Sequence, residues 1–446
     1  MADTTDIEIF LNGQWLPAAT LQTLDDDRCR VDYLPEYLFG QEGAEPISLT
    51  LGLHMQPDVR LADDGGSVEV YDRRPPPFLY DLVPQGKGRA LLVGLLQRAD
   101  QDGLVLPLID AGAFNPIGRL RVRSALAFYE RQATSAPQKA EWKDGFTLED
   151  IVGKSEGFLE HLSLHAMLAA GTTGVQGAAP KFLLTQNTHG QWFADLALDD
   201  ALASAHWLVK LPRGRSEADR AVLRNEAAYL RVAKAMGLRT HEEPQLHGEM
   251  LFVRRFDREV DAQGTHRLHQ ESTASLAGMR GFGGAANLTQ LLQAVRAHVS
   301  KPLRETVEYM KRDVLNVALR NTDNHARNTA VQKTRQGEVR LTPLFDFAPM
   351  FMDPEIIPRS AHWQFAGQRV TDFTDIVQRV AEQLPAGEGE HLIAELSSFS
   401  EQVGRLPELA QDLGVEPEVL QQCLKSIERV ALELAHLPKA WTQSHG

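Results

Sequence analysis

The hydrophobic period changes along this chain, and the change limits which folds it can adopt. "IEIFLNGQWLP", Ile7 to Pro17, alternates apolar and polar residues around Asn12-Gly13, a dipeptide suited to a tight hairpin turn. "RVDYLPEYL", "ISLTLGL" and "SVEVYDRR" extend the strand-like pattern between Gly- and Asp-containing turns. "RPPPFLYDLVPQG" predicts an extended crossing, and "GKGRALLVGLLQRADQDG" a helix ending in Gly103. From Thr147 the spacing turns helical. "TLEDIVGKSEGFLEHLSLHAMLAAG" opens with a capping-box arrangement and predicts an amphipathic helix. Strands are expected at "QWFADLAL", at "AHWLVKLP" and at "EMLFVRRFDRE". Between the last two lies a helix capped by Ser216 and ended by Gly237, with Val222, Ala227, Leu230 and Ala233 on one face. After Arg267 the pattern is mainly helical, apart from "VRLTPLFDFAPMF".

A chain of 446 residues exceeds one compact domain and predicts two or three folding units. A net charge of −14 argues against a broad DNA-binding surface, which needs clustered Lys and Arg, so any nucleic-acid role would come through a basic partner. Cys29 and Cys423 stand near opposite ends and form neither a disulfide framework nor a metal pair. The acidic start lacks a basic n-region, and no stretch of about 18 apolar residues occurs. The expectation is a soluble, cytoplasmic protein with no membrane association.

Polar residues clustered between apolar runs mark the candidate chemistry. "LRNTDNHARNTAV" sets Asp323, Asn324, His325 and Asn328 in a row where Asn and Asp favour a loop. Asp323 and Asn328 are five positions apart, and Asp346 follows inside "LTPLFDFAPMF". A carboxylate enclosed by Leu344, Phe345, Phe347 and Phe351 is costly unless it binds a cation. Asn328 and Asp346 suit Mg²⁺, and Asp323 would orient an attacking hydroxyl and accept its proton, the division of work found in protein kinases. Upstream, a Gly-rich turn precedes a strand carrying Lys210 and then a helix carrying Glu226. Lys210 lies among apolar neighbours, where an ammonium needs an anion, and Glu226 would hold it towards a nucleotide phosphate. The basic cluster "KLPRGR" either docks an acidic partner or nucleotide, or is a solvated loop. The apolar stripes of the C-terminal helices read most simply as core.

Together, "NTDNHARN" followed by "LTPLFDF", with "FVRRFDR", "RLHQE" and "GAAPKFLL" in support, resemble the HipA family of bacterial toxin kinases over essentially the whole chain. The resemblance implies an α+β, two-lobed protein-kinase-like fold, with a β-rich N-terminal subdomain at 1–132. A nucleotide-clamping lobe would occupy 147–255 and a mainly helical catalytic lobe 256–446. It implies ATP and Mg²⁺ as cofactors. Gln176, Gly177, Ala178, Ala179, Pro180 and Lys181 would form the phosphate-binding loop, with Lys210 contacting phosphates. Arg254, Arg255 and Phe256 would form the segment beside adenine. Asp323 would be the base, and Asn328 and Asp346 the metal ligands, with His325 bracing the loop. Gly174 stands where some members carry a phosphorylatable serine; either that autoregulation is missing or Thr172 or Thr173 replaces it.

The implied function is that of an ATP-dependent serine/threonine-protein kinase, the toxin of a toxin–antitoxin pair with a role in persistence. Its substrate would be a protein of translation such as an aminoacyl-tRNA synthetase. A small helix-turn-helix, HipB-like antitoxin would restrain it and supply the DNA contacts. Two rivals stand beside this reading: a catalytically silent kinase-like corepressor, and a small-molecule kinase.

Overall fold

The computed structural model describes residues 4–40, 43–56, 73–101, 103–135, 143–154, 157–158 and 181–445. Contacts divide the chain into two compact units, Met1–Lys210 with Arg254–Phe282, and Leu211–Val253 with Gly283–Gly446.

The first unit opens on an antiparallel hairpin of Thr4–Leu11 and Gln14–Asp25. Its turn has positive φ at both central residues, 51° at Asn12 and 80° at Gly13, the geometry that matches strand twist and that Asn-Gly tolerates. Arg28–Tyr33 and Leu120–Val122 complete a four-stranded sheet in the order third, second, first, fourth. The inward residues Ile7, Ile9, Leu21 and Val31 are fully buried, as period-two alternation requires. Helices Val105–Gly112 and Arg123–Ser135 contribute Leu106, Leu108, Ile109 and Ala125 to the same core.

Two expectations fail here. "ISLTLGL" forms turns and bends rather than a strand, because Ser48 and Leu49 are drawn to a buried carboxylate: Ser48 Oγ and Leu49 N both donate to Glu271. The helix expected to reach Gly103 stops at Leu95, followed by left-handed backbone at Gln97. Most of "SVEVYDRR", residues 67–72, lies outside the described residues. The Thr147 capping box is present and starts the short helix Leu148–Val152, while 159–180 of the expected helix and glycine turn also lie outside.

Further along, Lys181–Asn187 pairs antiparallel with Trp192–Ala194 on one side and Ala203–Lys210 on the other. A two-stranded ribbon, Arg258–Asp261 with Gly264–Arg267, and the strand His269–Ser272 follow. The expected strand "EMLFVRRFDRE" therefore ends at Arg254 and restarts at Arg258. The break falls where Arg255 and Asp257 turn inward to a buried ion network.

The second unit is mainly helical. Ser216 caps Glu217–Ala235 by accepting from Asp219 N, while the Asp219 side chain answers the Ser216 N–H; Gly237, at φ 81°, stops the helix. Leu223, Ala227, Leu230 and Ala233 are buried. Val222, expected on that face, is only half-buried; Leu223 takes its place. Helices Glu388–Gly404 and Pro417–Ala435 bury Leu392, Leu396, Phe399, Cys423, Ile427 and Val430, so the C-terminal stripes are core. Buried Glu305 receives both terminal nitrogens of Arg239 at 2.8 Å and the N–H of Leu341 at 2.9 Å. That ion pair ties helix Pro302–Ala318 to the hairpin of Ala330–Lys333 and Val339–Leu341.

Candidate active site

The acid–amide loop begins where helix Pro302–Ala318 ends. Arg320 takes left-handed backbone, φ 56°, and turns the chain sharply. Two contacts hold the turn: the Oη of buried Tyr229 donates to the Leu319 carbonyl at 3.0 Å, and the Arg320 guanidinium stacks 4.3 Å over the ring of Phe351. Burial pushes both the Tyr229 hydroxyl and the Cys423 thiol up, the latter to about 11, so both stay neutral donors.

From there each amide of the loop has a separate task. Asn321, 4% exposed, donates to Asn316 Oδ1 at 3.0 Å and to the Asp346 carbonyl at 3.4 Å. Asn324 donates to the Ala361 carbonyl at 2.9 Å. Asn328 Nδ2 donates to the Asp323 carbonyl at 2.8 Å, and its N–H to the His325 carbonyl at 2.9 Å. His325 Nε2 lies 3.5 Å from Asp323 Oδ1. The His325 ring thus stands against the Asp323 carboxylate, which is about one-fifth exposed. The folded loop closes on itself around Asp323.

Asp346 arrives from the opposite direction. The Leu344 N–H donates to the Arg239 carbonyl, Phe347 is fully buried, and its ring lies 5.2 Å from that of Tyr229. Between those fixed points Asp346 adopts φ 50°, a conformation unusual for a side-chain-bearing residue. Phe345 and Asp346 are half-buried while Leu344 and Phe347 are buried, so the left-handed turn sets the acid at the core's edge. Asn321, which the sequence reading missed, is the direct link between loop and acid. Its only signal was one more Asn in an already Asn-rich run.

By their chemistry, an amide oxygen and a carboxylate, Asn328 and Asp346 suit a hard cation. Among the described residues no group of three His, Cys, Asp or Glu side chains could hold a metal ion. Mg²⁺ is usually held by such a small set completed by phosphate oxygens and water. The Nδ2 end of Asn328 is committed to Asp323, which leaves Oδ1 as the end suited to a metal.

Of the residues expected on the phosphate side, Lys181 and Lys210 belong to the first unit. Lys181 and Lys210 are directly paired across antiparallel strands, so both side chains point to one face. Lys210 is 5% exposed. Two neighbouring ammonium groups, one of them buried, make a face suited to a multiply charged anion. Gln176, Gly177, Ala178, Ala179 and Pro180, with Thr172, Thr173 and Gly174, lie outside the described residues. Glu226 sits in the second unit, 5% exposed on its helix.

The three residues expected beside adenine differ in surroundings. The Arg254 guanidinium lies 5.2 Å from the Trp207 ring, and Phe256 is half-buried. Arg255 is 3% exposed and reaches both Asp195 and Asp257 at 2.8 Å. Arg258 and Gly118 N also donate to Asp257, and Asn115 donates to Asp195. Burial pushes the Asp257 carboxyl up, but Arg255 and Arg258 outweigh it and hold it well below the ordinary carboxylate range. The Arg255 side chain is therefore occupied in a structural network, and only its backbone is suited to a ligand. Nor does "KLPRGR" remain a solvated loop throughout, since Arg213 grips Asp353 through Nη1, at 3.0 and 2.9 Å to its two oxygens, and also pairs with Glu355.

The fold is α+β and of the two-lobed protein-kinase-like class, and the acid–amide loop with its following acid occupies the helical unit. The HipA-like C-terminal domain model matches residues 173–429, more than half of the chain, and the chain belongs to that family. In fold the chain is similar to HipA of Shewanella oneidensis MR-1, solved in a toxin–antitoxin complex with HipB and operator DNA. That match has a TM-score of 0.61 and 17% identity, and covers 98% of this chain and 99% of that one. A protein of Haemophilus influenzae named "Putative kinase" is 27% identical over 145 residues, 30% of this chain, which spans 42% of that relative's length. The proinflammatory kinase CtkA of Helicobacter pylori aligns with 54% of this chain and 92% of its own, at 13% identity and a TM-score of 0.34. Among the described residues no helix is long and apolar enough to cross a membrane.

Proposed function

We propose that this chain is an ATP- and Mg²⁺-dependent serine/threonine-protein kinase, the toxin of a bacterial toxin–antitoxin pair. What supports the reading is that the loop carrying Asp323 and Asn328, closed on itself by the Asn328 amide and the Asp323 carbonyl, is hydrogen-bonded through Asn321 to the backbone of Asp346, from a separate segment. Asn328 and Asp346 hold Mg²⁺, which when bound neutralises charge on the transferring phosphate. Asp323 orients the acceptor hydroxyl and takes its proton, with His325 fixing the carboxylate. Lys181 and Lys210, paired across neighbouring strands, offset phosphate charge. Arg254 to Phe256 line the adenine through their backbone. Phosphoryl transfer of this kind is positioning plus electrostatics, so it needs these groups held still rather than chemically exotic.

The protein acceptor belongs to the translation machinery, an aminoacyl-tRNA synthetase being the type. A small helix-turn-helix antitoxin restrains the toxin and carries the DNA contacts. The net charge of −14 fits a basic partner of that kind, as does the HipA–HipB–operator assembly of the Shewanella protein. The test is transfer of label from γ-labelled ATP into proteins of a bacterial lysate, with wild type beside Asp323→Asn. Labelled protein bands lost in the variant support the proposal. Nucleotide binding without transfer points instead to a silent corepressor, and label confined to small molecules to a different acceptor class.

A further inference from the structure

The segment after Asp346 leaves the acid–amide loop and returns to it. Asn321 holds its start at the Asp346 carbonyl, and Asn324 holds its end at the Ala361 carbonyl. Near that end Arg359 and Trp363 donate to Asp313, at 2.6 and 2.8 Å. Midway, Asp353, 5% exposed, is gripped by Arg213. The Asp353 side chain also accepts from Glu355 N at 2.9 Å, and its carbonyl accepts from Ile356 N at 2.9 Å. Pro354 fills the second turn position, where its fixed φ is favourable, and Pro358 stiffens the exit.

This rigid turn presents Ile356 at φ 51° and 82% exposed. Both facts are unfavourable for the free chain. A β-branched residue in left-handed backbone is strained, and Gly or Asn would serve the turn better. An isoleucine left in water contributes no burial to the fold. An apolar side chain held out on a braced, strained turn, between two clamps of the catalytic loop, gains its advantage only when something covers it.

We infer that Ile356 is a specificity-determining contact for the protein acceptor, packing against an apolar residue that flanks the acceptor Ser or Thr, with Arg213–Asp353 as its brace. The inference rests on the phosphoryl-transfer reading above. A protein acceptor is the occupant chosen because the knob lies on the segment that carries Asp346 and is tied at both ends to the loop that carries Asp323. It also offers one aliphatic contact and no polar group for a small alcohol.

The experiment uses the full chain, γ-labelled ATP and a degenerate peptide library centred on Ser or Thr, with wild type, Ile356→Asp and Ile356→Gly. Wild type is expected to select Leu, Ile, Val or Phe at a position near the acceptor. Ile356→Asp should lower kcat/KM for the best such peptide about tenfold and shift selection there towards Lys or Arg, with KM for ATP unchanged. Ile356→Gly should melt at a higher temperature yet lose the same selectivity, which a purely structural residue would not do. Unchanged selection in Ile356→Asp, or no apolar selection by an active wild type, overturns the inference while leaving the kinase reading intact. So does a substitution that changes only the mass measured by light scattering, which would make Ile356 a self-association contact. A wild type that transfers label to no acceptor at all, itself included, refutes the kinase reading.

Discussion

Asn321 and Asp323 lie two positions apart and do opposite work. Asp323 keeps a partly exposed carboxylate beside His325, in the position that the proposed reaction assigns to the base. Asn321 is buried and spends its amide on Asn316 and on the carbonyl of Asp346. Substituting Asp323 with Asn should lower phosphoryl transfer by about 100-fold or more, the usual contribution of a general base, with no change in melting temperature. Full activity in that variant would remove Asp323 from the chemistry. Asn321→Ala is expected to behave differently: a loss of about 1 kcal/mol in urea unfolding and a lower kcat, with KM for ATP nearly unchanged. A KM effect alone would make Asn321 a binding residue instead. Both amides and acids were visible as an Asn- and Asp-rich run, but which of them faces inward was not, since burial depends on what covers the loop.

Among the larger pieces, the ion pair of Arg239 with Glu305 carries the most weight for its position. It fastens the helix that delivers the acid–amide loop to the strand pair that follows it, and Glu305 is fully buried. Arg239→Met would leave a buried carboxylate uncompensated, so it should destabilise the protein by about 3–5 kcal/mol. The double variant Arg239→Met, Glu305→Leu should recover most of that loss; denaturant melts of the three proteins decide the matter. The helix Glu217–Ala235 was legible end to end, because Ser216 and Gly237 are strong local signals. "ISLTLGL" was not, because the carboxylate of Glu271, more than 200 positions away, competes for its polar groups.

Taken as a whole, the molecule buries several titratable groups, and their shifts set its pH response. Burial, the largest influence on both His206 and His269, lowers them from 6.5 and keeps each imidazole neutral despite an adjacent carboxylate. The unfolded chain binds protons there first. Their stabilising contribution is therefore complete above pH 6.5 and declines as pH falls towards the lowered values. The depressed carboxyls hold their contribution down to the ordinary carboxylate range and lose it below: burial is outweighed at Asp257 by Arg255 and Arg258, at Asp195 by hydrogen bonds and Arg255, and at Glu271 by hydrogen bonds. Urea midpoints should thus be flat from pH 8 to about 7, fall from 6.5, and fall further below about 4.5. A flat midpoint down to pH 5 would mean that the buried histidines are not excluded from protonation, and His206→Gln should reduce the first decline. The two units also interleave in sequence, each built from two stretches of chain, a division that no composition shift marks.

Local chemistry settled the hairpin at Asn12-Gly13, the capped helix after Ser216 and the polar loop around Asp323. Each follows from torsional preference, capping or patterning within a few positions, so neighbours in sequence suffice. Which arginines are structural was decided elsewhere. Arg255 and Arg213 both lie in basic clusters, yet one completes a buried network with Asp195 and Asp257 and the other braces Asp353. A long, flexible cation gives no local sign of its partner, because that partner arrives only when distant segments fold together.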